Sequence, residues 1–281
     1  MTKLLRANFA RLKTSKVFWI CTIGMFVFAV GLCVDFYVKH VTEGRSFPDL
    51  DLPFYVAFFL TGVVGAVFCS IFIGTEYSDG TLRNKLVVGH SRSAIYLANF
   101  LTCSIAELFM VLAYQIGMMA VGAPLCGWFK ADAASVLFTL MIGILLTIAH
   151  AAIFSLLAML ISNKVFPAIL GLIFAFVSIF MYVTLINRLQ EPEFHSGFET
   201  TVSADGVITA QYGEATPNPN FLTPVERERV QFVMDFLPTT QAGQLVAQEA
   251  ANPARMVLCS FAIILTTNAA GIFFFRRKDL K

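Results

Sequence analysis

Residues 75–96 have the sequence TEYSDGTLRNKLVVGHSRSAIY. This segment is a compact polar interruption between two long apolar runs, each long enough to cross a bilayer. The Asp79-Gly80 pair predicts a tight turn, because glycine adopts positive φ without a Cβ clash. The segment is therefore predicted to connect two membrane-spanning helices on one side of a membrane.

A short helix is predicted inside this connection. Thr81 is placed to cap a helix over residues 82–88, and Gly89 is placed to end it. Ser91 or Ser93 is then placed to cap the long helix that follows. The connection is predicted to be structured rather than a passive loop.

The predicted short helix carries polar and basic side chains beside two leucines. Arg83, Asn84 and Lys85 lie between Leu82 and Leu86. This mixture predicts a contact surface for another protein. The alternative that the residue types leave open is an ordinary basic loop that only fixes membrane topology.

The segment EYSDGTLRNKL, followed by GHSRSAIY, resembles the cytosolic loop of bacterial ABC-2 type permeases. In that family E-x(3)-G-T-L-R-N-K-L precedes a G-x-S-R segment, and the helix within it is the coupling helix, which sits in a groove of the ATP-hydrolysing subunit. A shorter match, DFLPTTQ at residues 235–241, resembles the F-L-P-T-x-Q sequence that precedes the last span in many of these permeases.

The resemblance implies an interface with an ATPase subunit. Its residues are Glu76, Asp79, Gly80, Thr81, Leu82, Arg83, Asn84 and Lys85. The alternative for Glu76 is a charge at a helix N-terminus, favoured by the macrodipole. The alternative for Arg83 and Lys85 is contact with anionic lipid headgroups.

The composition indicates a membrane protein. The 281-residue chain is 57% hydrophobic and 14% charged, whereas globular chains are roughly 25% charged. Its six cysteines are scattered without a CxxC pair, which argues against a zinc site and a disulfide framework. We expect the cysteines to pack between helices, and we expect no metal site.

The predicted fold class is an all-α polytopic membrane protein with six transmembrane helices. Residues 1–16 are expected to form an amphipathic interfacial helix, and a small extracellular α/β region is expected between the fifth and sixth spans. The spans are predicted at about 17–38, 53–74, 95–121, 133–161, 165–187 and 254–275. The remaining parts are a cytoplasmic coupling loop at 75–94, an extracellular loop at 188–253 and a cytoplasmic tail at 276–281.

Residues 1–16 place Leu5, Phe9 and Leu12 at helical spacing among basic residues, which is typical of a helix in the headgroup plane. The first span exceeds the usual length of a signal-peptide core, so we expect it to be retained. The loop 188–253 predicts a β-hairpin around Asp205-Gly206 and a helix from a Thr223–Glu226 capping box to about Phe236.

The basic residues predict the orientation. Thirteen of the 20 lysines and arginines fall in four segments on one predicted side: five in the N-terminus, three in the 75–96 loop, one in the 162–164 turn and four in the C-terminus. By the positive-inside rule this side is cytoplasmic. Both termini are expected in the cytoplasm and the chain in a bacterial plasma membrane.

Three polar residues inside predicted spans are candidates for a substrate path: Glu107, Gln115 and His150. Ionisable side chains inside a membrane are costly and often functional. A protonated Glu107 bonded to a neighbouring helix, and a hydrogen-bonded His150 that only packs, are the alternatives. Gly62 and Gly65 predict a close approach between helices.

The chain contains no G-x(4)-G-K-[ST], no G-x-S-x-G and no H-E-x-x-H. We therefore expect no catalytic residues, with ATP and Mg²⁺ bound by a partner ATP-binding cassette subunit. A second permease copy, identical or related, and membrane lipid are the other expected partners; no nucleic acid is expected.

The predicted function is the membrane subunit of an ABC-2 type exporter of an apolar or amphipathic substrate such as a peptide, drug or lipid. One alternative is an ion-coupled secondary transporter with Glu107 as its coupling carboxylate. Another is a membrane receptor or assembly protein that transports nothing.

Overall fold

The computed structural model describes residues 1–44, 49–195, 198–202, 208–212 and 215–279. Its helices are α1 (Thr2–Thr14), α2 (Lys16–Glu43), α3 (Asp51–Ser78), α4 (Thr81–Val87), α5 (Arg92–Gly117), α6 (Ala123–Cys126), α7 (Ala133–Leu160), α8 (Val165–Gln190), α9 (Pro224–Phe236), α10 (Pro238–Ala247) and α11 (Pro253–Arg277). Its strands are β1 (Phe194–His195), β2 (Phe198–Val202), β3 (Ile208–Tyr212) and β4 (Thr216–Pro217).

The all-α polytopic membrane fold is confirmed. Within the described residues, six helices are long and apolar enough to cross a membrane: α2, α3, the continuous stretch Arg92–Cys126, α7, α8 and α11. Each overlaps one predicted span. The helix α3 lies at the centre, packed against α2, α5, α7, α8 and α10. Outer helices expose large apolar side chains such as Phe180 and Leu258, as surfaces facing lipid do.

The third span continues further than expected. The sequence predicted a break from Gly122, but α5 passes through a π-turn at Met118–Gly122 into α6. The amide of Ala123 donates to the carbonyl of Met118, five residues earlier. Pro124 lies at the start of α6, where its missing N–H costs little. The predicted boundary at residue 121 is therefore five residues too early.

The region between the last two spans is a small α/β region. Strands β2 and β3 pair antiparallel, and β1 pairs antiparallel with β4. The predicted turn residues Asp205 and Gly206 lie outside the described residues. Helix α9 begins at the predicted capping box, where the Glu226 amide donates to Thr223 Oγ1 and the Thr223 amide donates to the Glu226 carboxylate.

The helix α10 was not predicted. Its polar residues Thr239, Thr240 and Gln241 are fully buried among α3, α7 and α8. Their burial is tolerated because each side chain is hydrogen-bonded: Thr240 donates to the carbonyl of Met234, and Gln241 donates to those of Asp235 and Met256.

Four basic segments of the chain lie together at one end of the helix bundle: α1, α4, the turn between α7 and α8, and the residues after α11. We call this the α4 end. Helix α1 is bonded there to α3 and α5, Lys164 in the turn between α7 and α8 packs on Gly74, and Lys278 after α11 bonds Tyr77. Helix α1 and the segment that follows α11 therefore lie on the same side of the bundle as α4.

Candidate functional site

The turn into α4 has the predicted positive-φ glycines, but its N-cap residue differs from the prediction. Gly80 has φ +67° and Gly89 has φ +94°, which an L side chain rarely adopts. Thr81 does not cap the helix, because Gly80 occupies the N-cap position and the Thr81 hydroxyl donates to the carbonyl of Glu76. Ser91 caps α5 by accepting from the Ala94 amide at 3.3 Å.

Helix α4 has a buried face and an exposed face. Leu82 is 1% exposed and packs in the core. Val87 and Val88 are 86% and 76% exposed, beside the exposed Arg83 and Asn84. We call these four residues the α4 outer face. A polar segment that exposes two adjacent valines carries apolar area that a partner protein could cover.

Beneath α4, Glu76 is the centre of a charge cluster. Its side chain is 1% exposed, forms an ion pair with Arg11 Nη1 at 2.6 Å, and accepts from Asn99 Nδ2 at 2.9 Å and from Lys85 Nζ. The macrodipole alternative is wrong, because Glu76 lies in the last turn of α3, where the helix dipole disfavours a negative charge. Two cations offset that cost.

The buried face of α1 is displaced from the predicted stripe. Leu4, Asn8 and Leu12 are buried, whereas Leu5 and Phe9 are only partly covered. The Asn8 amide donates to Asn99 Oδ1 at 2.8 Å, and its oxygen accepts from Lys85 Nζ at 2.9 Å. Helix α1 therefore docks on α5 and α4 through polar bonds.

The Glu76 cluster joins α1, α3, α4 and α5 through hydrogen-bonded ions. Burial lowers the pKa of the Lys85 ammonium, and the Glu76 carboxylate opposes that change. The Arg11 guanidinium also lies over the Phe72 ring at 3.9 Å. Charged groups that pair in a poorly solvated place hold their elements rigidly, because breaking one pair leaves the other charge uncompensated.

The C-terminal segment is attached beside this cluster. Lys278 Nζ donates to Tyr77 Oη at 2.9 Å and to the carbonyl of Met159 at 3.1 Å. Arg92 Nη1 donates to the carbonyls of Phe275 and Arg276 at 3.3 Å each. Burial lowers the pKa of Lys278 to about 8.

A cavity of about 310 Å³ opens next to α4. Its walls come from the end of α3, the start of α4 and the turn after α7. The lining residues are Glu76, Tyr77, Ser78, Gly80, Leu82, Arg83 and Ser162. The cavity is large enough for a side chain of a docked protein.

Of the predicted interface residues, the structure separates two groups. One group is buried or partly buried against the rest of the chain: Glu76, Leu82 and Lys85. The other group is exposed: Asp79, Arg83 and Asn84. Gly80 and Thr81 form the bend between them. The inward group supports the short helix, and the outward group is available to a partner.

Glu107 lies within α5, far from the α4 outer face. It is 1% exposed; Cys69 donates to its Oε1 at 3.1 Å, and its Oε2 has no hydrogen-bond partner among the described residues. A Cβ on Gly65 would lie 2.7 Å from Oε1, so Gly65 makes room for this carboxyl. The close approach expected at Gly65 is therefore made by the Glu107 side chain of α5.

His150 is fully buried and bonded at both ring nitrogens. Nδ1 lies 3.0 Å from Thr61 Oγ1, and Nε2 lies 3.2 Å from Thr239 Oγ1. The ring stacks on Phe154 at 5.8 Å. Gly62 packs against the same imidazole and Thr239. The geometry favours a packing role that joins α7 to α3 and α10.

The structure does not bring the three candidate path residues together. Glu107, Gln115 and His150 make no hydrogen bond with one another in the described chain. The Nε2 of Gln115 is buried without a hydrogen-bond partner there.

Sequence reasoning missed Asn8, Arg11 and Asn99 as members of the Glu76 cluster. A signal existed for Asn8, which occupies the middle position of the 4-8-12 apolar row of α1. A polar residue at such a position points to a specific bond. Asn99 gave a weaker signal, as an amide two turns before Glu107 in an apolar span.

The family model described as ABC-2 family transporter protein matches residues 4–178, more than half of the chain. The chain belongs to this family. The match begins in α1, includes α2 to α7 and the first half of α8, and stops before α9, α10 and α11. No curated protein matches the sequence significantly. As an ABC-2 family member the chain is a multi-pass membrane protein and a permease-type subunit of an ABC transporter.

Proposed function

We propose that this ABC-2 permease exports an apolar or amphipathic substrate, using ATP hydrolysed by a separate subunit that docks on the α4 outer face. The α4 end is cytoplasmic, in a bacterial plasma membrane. Residues 75–94 are the coupling loop, residues 188–253 lie outside, and residues 276–281 lie inside with the N-terminus. A second permease copy completes the transporter, and ATP and Mg²⁺ bind only the partner.

The exposed pair Val87 and Val88 carries this proposal. These valines end a helix whose opposite side is fixed by Leu82 and Lys85. A rigidly held helix with an apolar tip can fill a groove in a partner. The basic Arg83 and the amide Asn84 beside them are suited to carboxylate and backbone groups at the rim of such a groove.

The Glu76 cluster supports transmission of motion. Force applied to α4 reaches Glu76 through Lys85, and Glu76 is bonded to α1 through Arg11. Asn99 extends the same network into α5. Because these bonds join four helices, a displacement of α4 moves α1 and the ends of α3 and α5 that lie at the α4 end.

The test is replacement of both valines by aspartate. V87D/V88D is expected to lose co-purification with the cognate ATP-binding subunit, co-expressed from a neighbouring reading frame, and to lose ATP-dependent transport. Two charges placed in an apolar contact cost several kcal/mol. The double variant should still insert and elute as one species, because both side chains are exposed in the free chain.

The matched control is Val41→Asp. Val41 is 63% exposed near the end of α2 that lies opposite α4. It should retain the ATP-binding subunit. The proposal fails if V87D/V88D binds that subunit as well as V41D does.

The interior candidates do not support the ion-coupled alternative. Glu107 and His150 are enclosed in separate contacts along α3. Glu107 accepts from a thiol and His150 bonds two hydroxyl groups of neighbouring helices, and such contacts between helices need no role in transport. We therefore assign packing roles to both residues, and leave the substrate path to surfaces shared with the second permease copy.

A further inference from the structure

Three sulfur atoms meet at the end of the bundle opposite α4. The Cys33 thiol of α2 donates to the Met118 thioether, with the two sulfurs 3.3 Å apart. The thiols of Cys33 and Cys126 also lie within hydrogen-bonding reach of each other. Cys33 is 1% exposed, Met118 is fully buried and Cys126 is 8% exposed.

The π-turn brings the Met118 and Cys126 side chains to the same side of the third span. In an unbroken α-helix, residues eight apart, as Met118 and Cys126 are, point about 80° away from each other. The π-turn at Met118–Gly122 takes up one additional residue and reduces that angle to about 20°. Both sulfur side chains therefore face α2.

Gly122 lets the Cys33 sulfur come this close. A Cβ on Gly122 would lie 3.0 Å from Cys33 Sγ and 2.9 Å from Leu50 Cδ2. The Met118 sulfur lies 3.8 Å from the same point. The helix backbone is therefore open at the position where the sulfurs converge.

We propose that Cys33, Met118 and Cys126 form a binding site for a soft monovalent metal ion, Cu⁺ or its analogue Ag⁺. Thiolate and thioether sulfurs select such ions over harder cations. The described residues contain no group of three His, Cys, Asp or Glu side chains suited to a metal ion, so a conventional zinc or calcium site is a poorer match.

The charge balance suits an apolar location. Cu⁺ replaces the proton of the Cys33 thiol, and that proton passes to water. The resulting metal–thiolate unit is uncharged, the Met118 thioether coordinates it as a neutral ligand, and the Cys126 sulfur lies against it. An uncharged site avoids the cost of placing a net charge among apolar helices. Cys126, at 8% the most exposed of the three, is the sulfur through which the ion enters.

The bound ion ties α2 to the end of the third span. This role is independent of ATPase docking, because the sulfur cluster and the α4 outer face lie at opposite ends of the bundle. Its failure would leave the proposed function untouched.

The test is copper retention by the full chain, purified reduced and without oxygen in detergent. Cu⁺ is added, a competing Cu⁺ chelator follows, and copper per chain is measured after desalting. The wild type is expected to keep one equivalent. Cys33→Ser and Cys126→Ser should each lose it, and Met118→Leu should retain less than the wild type.

Cys69→Ser is the matched control, since Cys69 is a buried thiol of α3 that lies beside Cys103 and Glu107 and not beside a methionine sulfur. It should keep the ion. A second readout is the melting midpoint, which Cu⁺ should raise for the wild type and not for Cys33→Ser. The proposal is overturned if the wild type keeps no copper, or if Cys33→Ser and Cys126→Ser keep as much as Cys69→Ser.

Discussion

Glu76 and Glu107 are both buried glutamates, each 1% exposed, but their surroundings differ. Glu76 pairs with two cations and accepts from an amide at the α4 end. Glu107 has one thiol donor, and no lysine or arginine pairs with it in the part of the chain that the structure describes. The neighbouring cations, and not the degree of burial, distinguish the two carboxyl groups.

The difference follows from the cost of ions in apolar surroundings. A buried carboxylate persists when cations and hydrogen bonds replace its water, as they do at Glu76. Without a cation the neutral acid is favoured, so we predict that Glu107 is protonated. Glu76 therefore joins four helices at the α4 end, whereas Glu107 fills space beside Gly65.

The largest effect is expected for Glu76→Gln. This change leaves Arg11 and Lys85 half-buried without a carboxylate and should destabilise the protein by about 3 kcal/mol. The measurement is the melting midpoint in detergent, followed by size-exclusion elution. Asp35→Asn is the control, since Asp35 pairs with Lys39 on an exposed surface and should change stability by less than about 1 kcal/mol.

Glu107→Gln should have a much smaller effect than Glu76→Gln. Glutamine has the shape of a protonated glutamic acid and still accepts from Cys69, so the cost should be about 1 kcal/mol or less. Glu107→Ala should cost more, about 2–3 kcal/mol, because it leaves a cavity beside Gly65. If the Gln change at 107 were as damaging as at 76, Glu107 would be ionised and the comparison would be wrong.

Transport rates test the same comparison between Glu76 and Glu107. Glu107→Gln should transport at a rate within a factor of about two of the wild type, since a packing residue takes no part in proton movement. The rate is measured in vesicles with ATP inside and no proton gradient. A loss of transport at normal expression would revive the ion-coupled alternative.

The smallest effect is expected at Lys278, whose ammonium bonds the Tyr77 hydroxyl and the carbonyl of Met159 and has no carboxylate partner among the described residues. Burial lowers its pKa from 10.5 to about 8. Between these values the unfolded chain holds the proton that the folded chain has lost, so stability rises with pH from about 8 to 10.5.

Lys278→Met should remove that rise. The difference in melting midpoint between wild type and variant is measured at several pH values from 7 to 10. The exposed Lys16→Met serves as the control and should keep the wild-type slope. An unchanged slope in Lys278→Met would show that the tail lysine is solvated.

Local chemistry was predictable from the sequence where one residue decides the geometry. Gly80 and Gly89 bound α4, Ser91 caps α5, and the Thr223–Glu226 box starts α9, as their residue types indicated. Six apolar runs likewise gave the six long helices.

Other features depend on distant partners and were not predictable. The orientation of the Glu76 side chain depends on Arg11, which is sixty-five positions away in sequence. Helix α10 is buried although Thr239, Thr240 and Gln241 are polar. The residue types of Met118–Gly122 do not indicate a π-turn. The sequence pattern specified where helices form, but not which polar groups they pair.

The central claim is that the α4 outer face contacts the ATP-binding subunit, and site-specific photocrosslinking tests it most directly. A photoreactive amino acid is placed at Val87, at Arg83 or, as a control, at Val41, and the chain is co-expressed with the ATP-binding subunit. Crosslinks to that subunit are expected from positions 87 and 83 and not from 41. Crosslinks from 41 with none from 87 and 83 would contradict the account.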